Sequence, residues 1–172
     1  MKNKLFIPLA LLLAVSLTAT AQKESASKLY AATPISYHSS FSKIVLNDGI
    51  DLVLIENSQD KIWFDGKSKH VDKLKWEIKN GTLYLSSKTG SLNEKVQVNV
   101  YVQDLQTVEV NGDSRVRSSG YLSSPALDVH INGEALVDIS NLGKILVTNS
   151  KDFELGVMKR TSGVSVATGG AR

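Results

Sequence analysis

The sequence holds 172 residues, with 20 Lys and Arg against 17 Asp and Glu, and no Cys. A formal charge of +3 without any basic run excludes a phosphate-backbone binder, because nucleic-acid affinity requires several charges neutralised together. The absence of cysteine excludes a disulfide framework and a lipid-modified Cys.

Lys2 and Lys4 precede a nearly uninterrupted apolar run, Leu5 to Leu17, which closes on Ala19-Thr20-Ala21. This is the pattern of a secretory signal peptide over residues 1–21, with cleavage before Gln22. The run is short for a membrane-spanning helix of roughly 20 residues. No later segment is apolar enough to cross, so the mature chain is expected to be exported to the periplasm, the cell surface or the medium. Loss of Lys2 and Lys4 takes the 20 basic residues to 18 against 17 acidic ones and leaves 151 of 172 residues, the size of a single domain. Residues 22–40, rich in Ser, Ala and Thr, read as a flexible lead-in, and residues 41–172 as the domain itself.

From Phe41 onward, short apolar alternations are broken by Gly, Asn and Asp, and no ten-residue stretch has helical spacing. The period of two predicts strands throughout. Ile50, Leu52 and Leu54 share one face. Asn80-Gly81 predicts a two-residue type I′ hairpin, since both central residues need positive φ. Its register sets Ile78 against Leu83 and Trp76 against Leu85, which makes Trp76 a core residue, with Glu77 and Tyr84 on the other side. Asn80-Gly81-Thr82 is therefore a turn, although it fits the N-glycosylation pattern. Val96, Val98, Val100 and Val102 form a half-buried strand.

Val108-Glu109-Val110-Asn111-Gly112-Asp113 repeats as Val129-His130-Ile131-Asn132-Gly133-Glu134, 21 residues later. A third pass, Ile145 to Leu155, places Asn149-Ser150 where Asn-Gly would stand, with the spacing reduced to 17. Units of about 20 residues that bury an apolar face only by stacking predict a β-solenoid. The small-residue segment Thr161–Arg172 offers little to cover the last coil. An open strand edge and a homo-oligomer are therefore expected.

Phe41-Ser42-Lys43-Ile44, Gly49-Ile50-Asp51-Leu52, Asn80-Gly81-Thr82-Leu83, the stretch Val98 to Val110 and the two Asn-Gly repeats together resemble the head GIN domain family of adhesins from Bacteroidetes-type envelope proteins. The resemblance covers Phe41 to Gly163. It implies an all-β, right-handed β-helix-like domain with a hairpin-rich N-terminal region, exported and adhesive. Asp51 stands where the family's Gly-Ile-Asn pattern has Asn. No C-terminal series of membrane-spanning β-segments is legible, so export is expected to rest on the N-terminal signal.

Trp63, Tyr84 and Tyr101 each oppose the apolar face of their strand, which makes them candidates for one binding patch for a glycan or a protein. Asp113 and Glu134, one repeat apart, form a stacked acidic turn whose carboxylates lie roughly one strand spacing, about 5 Å, from each other. Most simply it is a solvated turn, with Arg115 placed to pair with Asp113 or Glu134; calcium binding or glycosidase chemistry would need further groups. His38, His70 and His130 have no metal-ligand spacing and read as surface residues. Neither a G-x-S-x-G turn nor a phosphate-binding glycine loop occurs. No catalytic residue, metal or cofactor is expected. The functions considered are an envelope binding or adhesion module, a self-assembling structural protein, and a β-helix carbohydrate-active enzyme.

Overall fold

The computed structural model describes residues 29–30, 34–47, 49–87, 96–150, 153–160 and 163–170; the signal peptide expected over residues 1–21 lies outside them. The strands are β1 (Leu29–Tyr30), β2 (Ile35–Ser36), β3 (Lys43–Asn47), β4 (Ile50–Glu56), β5 (Lys61–Lys67), β6 (Leu74–Lys79), β7 (Thr82–Ser87) and β8 (Val96–Val102). They continue with β9 (Thr107–Asn111), β10 (Ser114–Leu122), β11 (Ala126–Ile131), β12 (Ala135–Asn141), β13 (Lys144–Asn149), β14 (Phe153–Arg160) and β15 (Gly163–Gly170). One helical turn, α1 (Ser68–Val71), interrupts the strands and has no counterpart in the sequence pattern.

Two mixed sheets result. The larger runs β1-β5-β8-β4-β10-β12-β15-β14, with β2 also on β5, and the smaller runs β13-β11-β9-β3-β7-β6. Strands β8, β4, β10 and β12 are mutually parallel, as are β13, β11, β9, β3 and β7. The chain crosses between the sheets at Gly112–Asp113 and again at Gly133–Glu134. Inward residues of both sheets, among them Ile44, Leu46, Leu52, Leu54, Val98, Val100, Val108, Val110, Val129 and Ile131, form one buried cluster. Each side chain of this size contributes about 1.5–3 kcal/mol on burial.

The hairpin forms as its turn chemistry requires. Asn80 and Gly81 have φ of 51° and 71°, Trp76 pairs with Leu85, Ile78 with Leu83 and Glu77 with Tyr84. Trp76 packs against the core while half-buried. The 21-residue repeat is the lateral register itself: Val129 stands beside Val108, Ile131 beside Val110 and Val137 beside Val116. Like therefore stacks on like. Asn132 Nδ2 donates to Asn111 Oδ1 at 2.9 Å, and Asn111 Nδ2 to Asn47 Oδ1 at 3.2 Å, a ladder of asparagines along the crossing edge. Beside it, Lys43 Nζ lies 2.7 Å from Glu109 Oε2. The Lys43 hydrogen bond, helped by Asn111, holds the Glu109 carboxyl below the usual carboxylate range although burial opposes this.

The third pass departs from the expected spacing of 17. Asn149 stands opposite Ile131, an offset of 18. The register slips between Arg117 and Tyr121, where Gly120 takes a φ of 98°. At the following corner the Gly143 backbone presses on the carbonyls of Ser124 and Pro125. Buried Ser124 and Asn141 close that corner: Ser124 Oγ donates to Leu105 O, and Asn141 Nδ2 donates to Ser124 O at 2.9 Å.

Two regions carry more structure than their composition suggested. Ile35–Ser36 pairs with β5, and Tyr37 beyond it is buried, so the end of the lead-in packs on the domain. At the other terminus, the expectation of an uncovered coil is corrected. Strand β15 pairs antiparallel with β12 from Leu136 to Ser140, and β14 covers β15 in turn. Small residues suit this role, since Gly163 passes so close to Ile139 O that a Cβ would sit 2.7 Å from it.

At Gly133 an added Cβ would lie 2.5 Å from Gly112 N and 2.6 Å from Gly112 Cα. Gly133→Ala must therefore separate two backbones and is expected to cost more stability than Gly81→Ala, where the surroundings are open and only the left-handed φ penalises a side chain, by about 1–2 kcal/mol. Urea unfolding of the two variants measures the difference; equal costs would mean the turns can part freely.

Candidate functional site

Alternation along the strands of the larger sheet sends Trp63 and Asp65 of β5, Gln97, Asn99 and Tyr101 of β8, Asp51 of β4, and Arg115 and Arg117 of β10 to the outer face. The register lines them up in rows: Asp65, Gln97, Asp51 and Arg115 in one, and Trp63, Asn99, Val53 and Arg117 in the next. Trp63 and Tyr101 are half-buried, with ring centroids 5.1 Å apart and planes at 82°. This edge-to-face geometry is the one favoured by ring quadrupoles.

A hydrogen-bonding network adjoins the rings. Buried Asn99 donates through Nδ2 to Asp65 Oδ2 at 2.6 Å and accepts from Gln97 Nε2 at 2.8 Å. The Gln97 Oε1 in turn accepts from Arg117 at 2.7 Å. Arg115 Nη1 lies 3.6 Å from Asp51 Oδ2. The face is thus a polar lattice with opposite charges interspersed, flanked by two aromatic side chains, which suits a ligand that makes several hydrogen bonds and offers an apolar flank.

Where these strands end, the loops carrying Tyr37–Ser42, Asn57–Asp60, Gly81 and Gln103–Gln106 surround an open cleft of about 330 Å³ that also touches Tyr101. Tyr37 OH donates to Tyr101 O at 3.0 Å, Tyr37 N to Asp60 O at 3.1 Å and Asn57 N to Val102 O at 3.0 Å. Tyr37 and Phe41 rings lie 5.4 Å apart at 45°. Burial, and secondarily the Asp60 carboxylate, push the Tyr37 hydroxyl up to about 12.

The three aromatic residues singled out in the sequence are divided by the fold. Trp63 and Tyr101 meet, whereas Tyr84 sits exposed on the outer face of the smaller sheet, in register with Glu77 and Val45. Asp113 and Glu134 lie in successive crossings and are exposed. Among the described residues no group of three or more His, Asp or Glu is placed to hold a metal ion. Arg115 pairs with Asp51, not with Asp113 or Glu134, because the parallel register sets positions 51 and 115 side by side. His130 is half-buried on the outer face, with Nδ1 2.5 Å from Thr148 Oγ1, and His38 is exposed. The polar network and the cleft were not legible beforehand. Period two already turned Gln97 and Asn99 outward, but only the pairing of β5 with β8 brings Asp65 to them.

Residues 40–170 match the family described as "Putative auto-transporter adhesin, head GIN domain". The chain belongs to the head GIN domain family. Among solved structures, this head GIN domain is similar to a putative adhesin from Parabacteroides merdae, 17% identical, with 71% of this chain and 53% of that chain covered and a TM-score of 0.55. A putative adhesin from Bacteroides fragilis is 15% identical, over 69% of this chain and 62% of that chain, with a TM-score of 0.48. A putative cell adhesion protein from Clostridium sporogenes is 14% identical, over 79% and 87% of the two chains, with a TM-score of 0.39. The head GIN domain spans 53% and 62% of the first two, and the likeness to the Parabacteroides merdae protein is one of fold. No curated protein matches the sequence.

The raised Tyr37 pKa links stability to alkaline pH. The folded state keeps the Tyr37 proton up to about 12 while the unfolded chain releases it near 10.0, so stability is full below the lower value and falls as pH rises between the two. Chemical denaturation from pH 9 to 12 is expected to show this loss in the parent protein. In Tyr37→Phe the loss should be smaller, on a baseline lowered by about 1 kcal/mol for the missing hydrogen bond.

Proposed function

We propose that this protein is an exported cell-envelope binding module of the adhesion type, which holds a glycan or protein ligand non-covalently on the Trp63–Tyr101 face. The observation that carries the reading is the edge-to-face pair beside the Asp65–Asn99–Gln97–Arg117 network. Fixed donors and acceptors next to half-buried aromatic rings bind with little ordering cost. Membership of a family described as adhesins supports the same reading. Asp65 Oδ2 accepts from Asn99 and Asp51 Oδ2 faces Arg115, an arrangement suited to recognition. Export is supported by the Lys2–Ala21 pattern, with residues 22–40 leading into a single domain over 41–172. No helix of the described residues is long and apolar enough to cross a membrane. The in-register parallel ladders support a right-handed solenoid as the architecture of the central strands, a static scaffold suited to display.

A second reading, self-assembly through a strand edge, is favoured by one observation: β13 ends the smaller sheet, and Leu146 on it and Leu142 in the turn before it are 58% and 72% exposed. An apolar edge strand invites a further strand.

The purified protein, screened against glycan and extracellular-matrix panels beside Trp63→Ala, Tyr101→Ala and Tyr84→Ala variants, separates these readings. Reproducible binding is expected, weakened about tenfold or more by either change on the larger sheet and unaltered by Tyr84→Ala. A folded protein that binds nothing on the panels yet grows in mass with concentration by light scattering would overturn the binding reading in favour of assembly.

A further inference from the structure

The cleft at the end of the sheets is separate in its walls from the polar lattice, yet Tyr101 joins the two: its ring meets Trp63 and its carbonyl accepts the Tyr37 hydroxyl. We propose that this cleft receives the terminal, uncharged sugar unit of a glycan whose following units lie across Trp63 and Tyr101. The inference rests on the binding reading above and adds the ligand class and the place where its chain ends.

Size is the first argument. A cavity of about 330 Å³ stands at the small end of the range of about 300–1,000 Å³ for small-molecule sites, so it fits a single ring and not a strand or helix of a protein partner. Its walls come from four connections tied to one another by backbone hydrogen bonds. These include Ser42 N to Gly81 O at 3.1 Å and Gln106 N to Ser42 O at 2.8 Å. A preformed pocket of this kind spends little binding energy on ordering.

Charge is the second. The lining holds Asp60 and Asp104 and, among the described residues, neither Lys nor Arg. A uronate, phosphate or sulfate would meet repulsion with no compensating cation. A quaternary amine would suit the carboxylates but is held by several open ring faces around it; Tyr37 is only 9% exposed and the Tyr101 ring turns to Trp63, which leaves Phe41 as a single face. A neutral ligand with many hydroxyls meets both constraints.

Chemistry is the third. Sugar hydroxyls donate and accept, and the lining offers partners for both: carboxylates that accept, and the carboxamides of Asn57, Gln103 and Gln106, which do either. Asn57 Oδ1 already accepts from Gln59 N at 2.9 Å, which leaves its amide hydrogens for the cleft. Phe41, half-buried beside Tyr37, supplies an apolar surface for the C–H side of a pyranose ring. Asp104 adopts a φ of 55°, a conformation that glycine holds without strain and that Asp tolerates better than most side chains. Its carboxylate belongs to the cleft wall.

Asp104→Gly removes the carboxylate and relieves the backbone, so it tests the cleft without threatening the fold; Gln103→Ala, at an exposed position, is a second such change. Saturation-transfer NMR on the purified protein would use the methyl glycosides of glucose, galactose, mannose and N-acetylglucosamine, with methyl glucuronide and choline as charged arms. At least one neutral glycoside is expected to bind with a Kd on the order of 1 mM. Asp104→Gly is expected to weaken it about tenfold, the effect of one hydrogen bond to a charged acceptor, with an unchanged or higher melting temperature, and Gln103→Ala to weaken it as well. Preference for glucuronide or choline would overturn the proposal, as would neutral binding that survives both cleft variants and disappears in Trp63→Ala. Silence of all four glycosides with continued panel binding overturns the cleft and leaves the face; silence in both assays overturns the two together.

Discussion

In a parallel, in-register ladder each residue lies beside the residue at the same position of the neighbouring strand, about 4.8 Å away, so whatever the sequence places at one position it must tolerate in a stack. The structure of this protein depends on that constraint. Inward positions satisfy it with Val, Ile and Leu, which pack on their own kind, and the crossings satisfy it with Asn47, Asn111 and Asn132, whose carboxamides bond one another in line. It also explains why glycine is needed at Gly133, where two crossings press backbone on backbone.

The same constraint makes the outer faces into regular arrays. Like charges in register would repel, and the larger sheet avoids this by setting Asp51 against Arg115, and Gln97 between Asp65 and Asp51. Carboxamides act as the neutral members that connect the charged ones, so the lattice is held by hydrogen bonds as well as by ion pairs, which are weak when exposed. The cleft has a different origin. It lies where the ladders stop, among loops that need not repeat, and there the chain carries its local exceptions: a buried Tyr37, a left-handed Asp104 and an edge capped by the end of the lead-in. Stacked strands thus supply the flat part of the proposed site and irregular connections the concave part.

The antiparallel additions at both ends of the larger sheet serve a further purpose. Strands β5 and β15 have neighbours of opposite direction, which ends the repeating pattern and covers the edges of β8 and β12. The smaller sheet is finished asymmetrically. Strand β6 presents Lys75, Glu77 and Lys79 outward, charges that discourage further pairing, while β13 presents Leu146 between Lys144 and Thr148.

The sequence by itself determined those features whose cause is local. Period-two alternation marked the strands and their buried faces, Asn80-Gly81 specified a hairpin and its register because few other dipeptides accept two positive φ values, and the 21-residue repeat announced its lateral stacking. It could not determine which distant strands become neighbours. Trp63 and Tyr101 looked no more related to each other than to Tyr84, and Arg115 had nearer carboxylates than Asp51. Those choices are made by the order of strands in the sheets, where β4 sits between β8 and β10 and β5 joins β8. That order follows from burying every inward face at once, a requirement of the whole chain that no single segment carries. The polar lattice and the cleft are consequences of it, which is why their residues were visible in the sequence and their association was not.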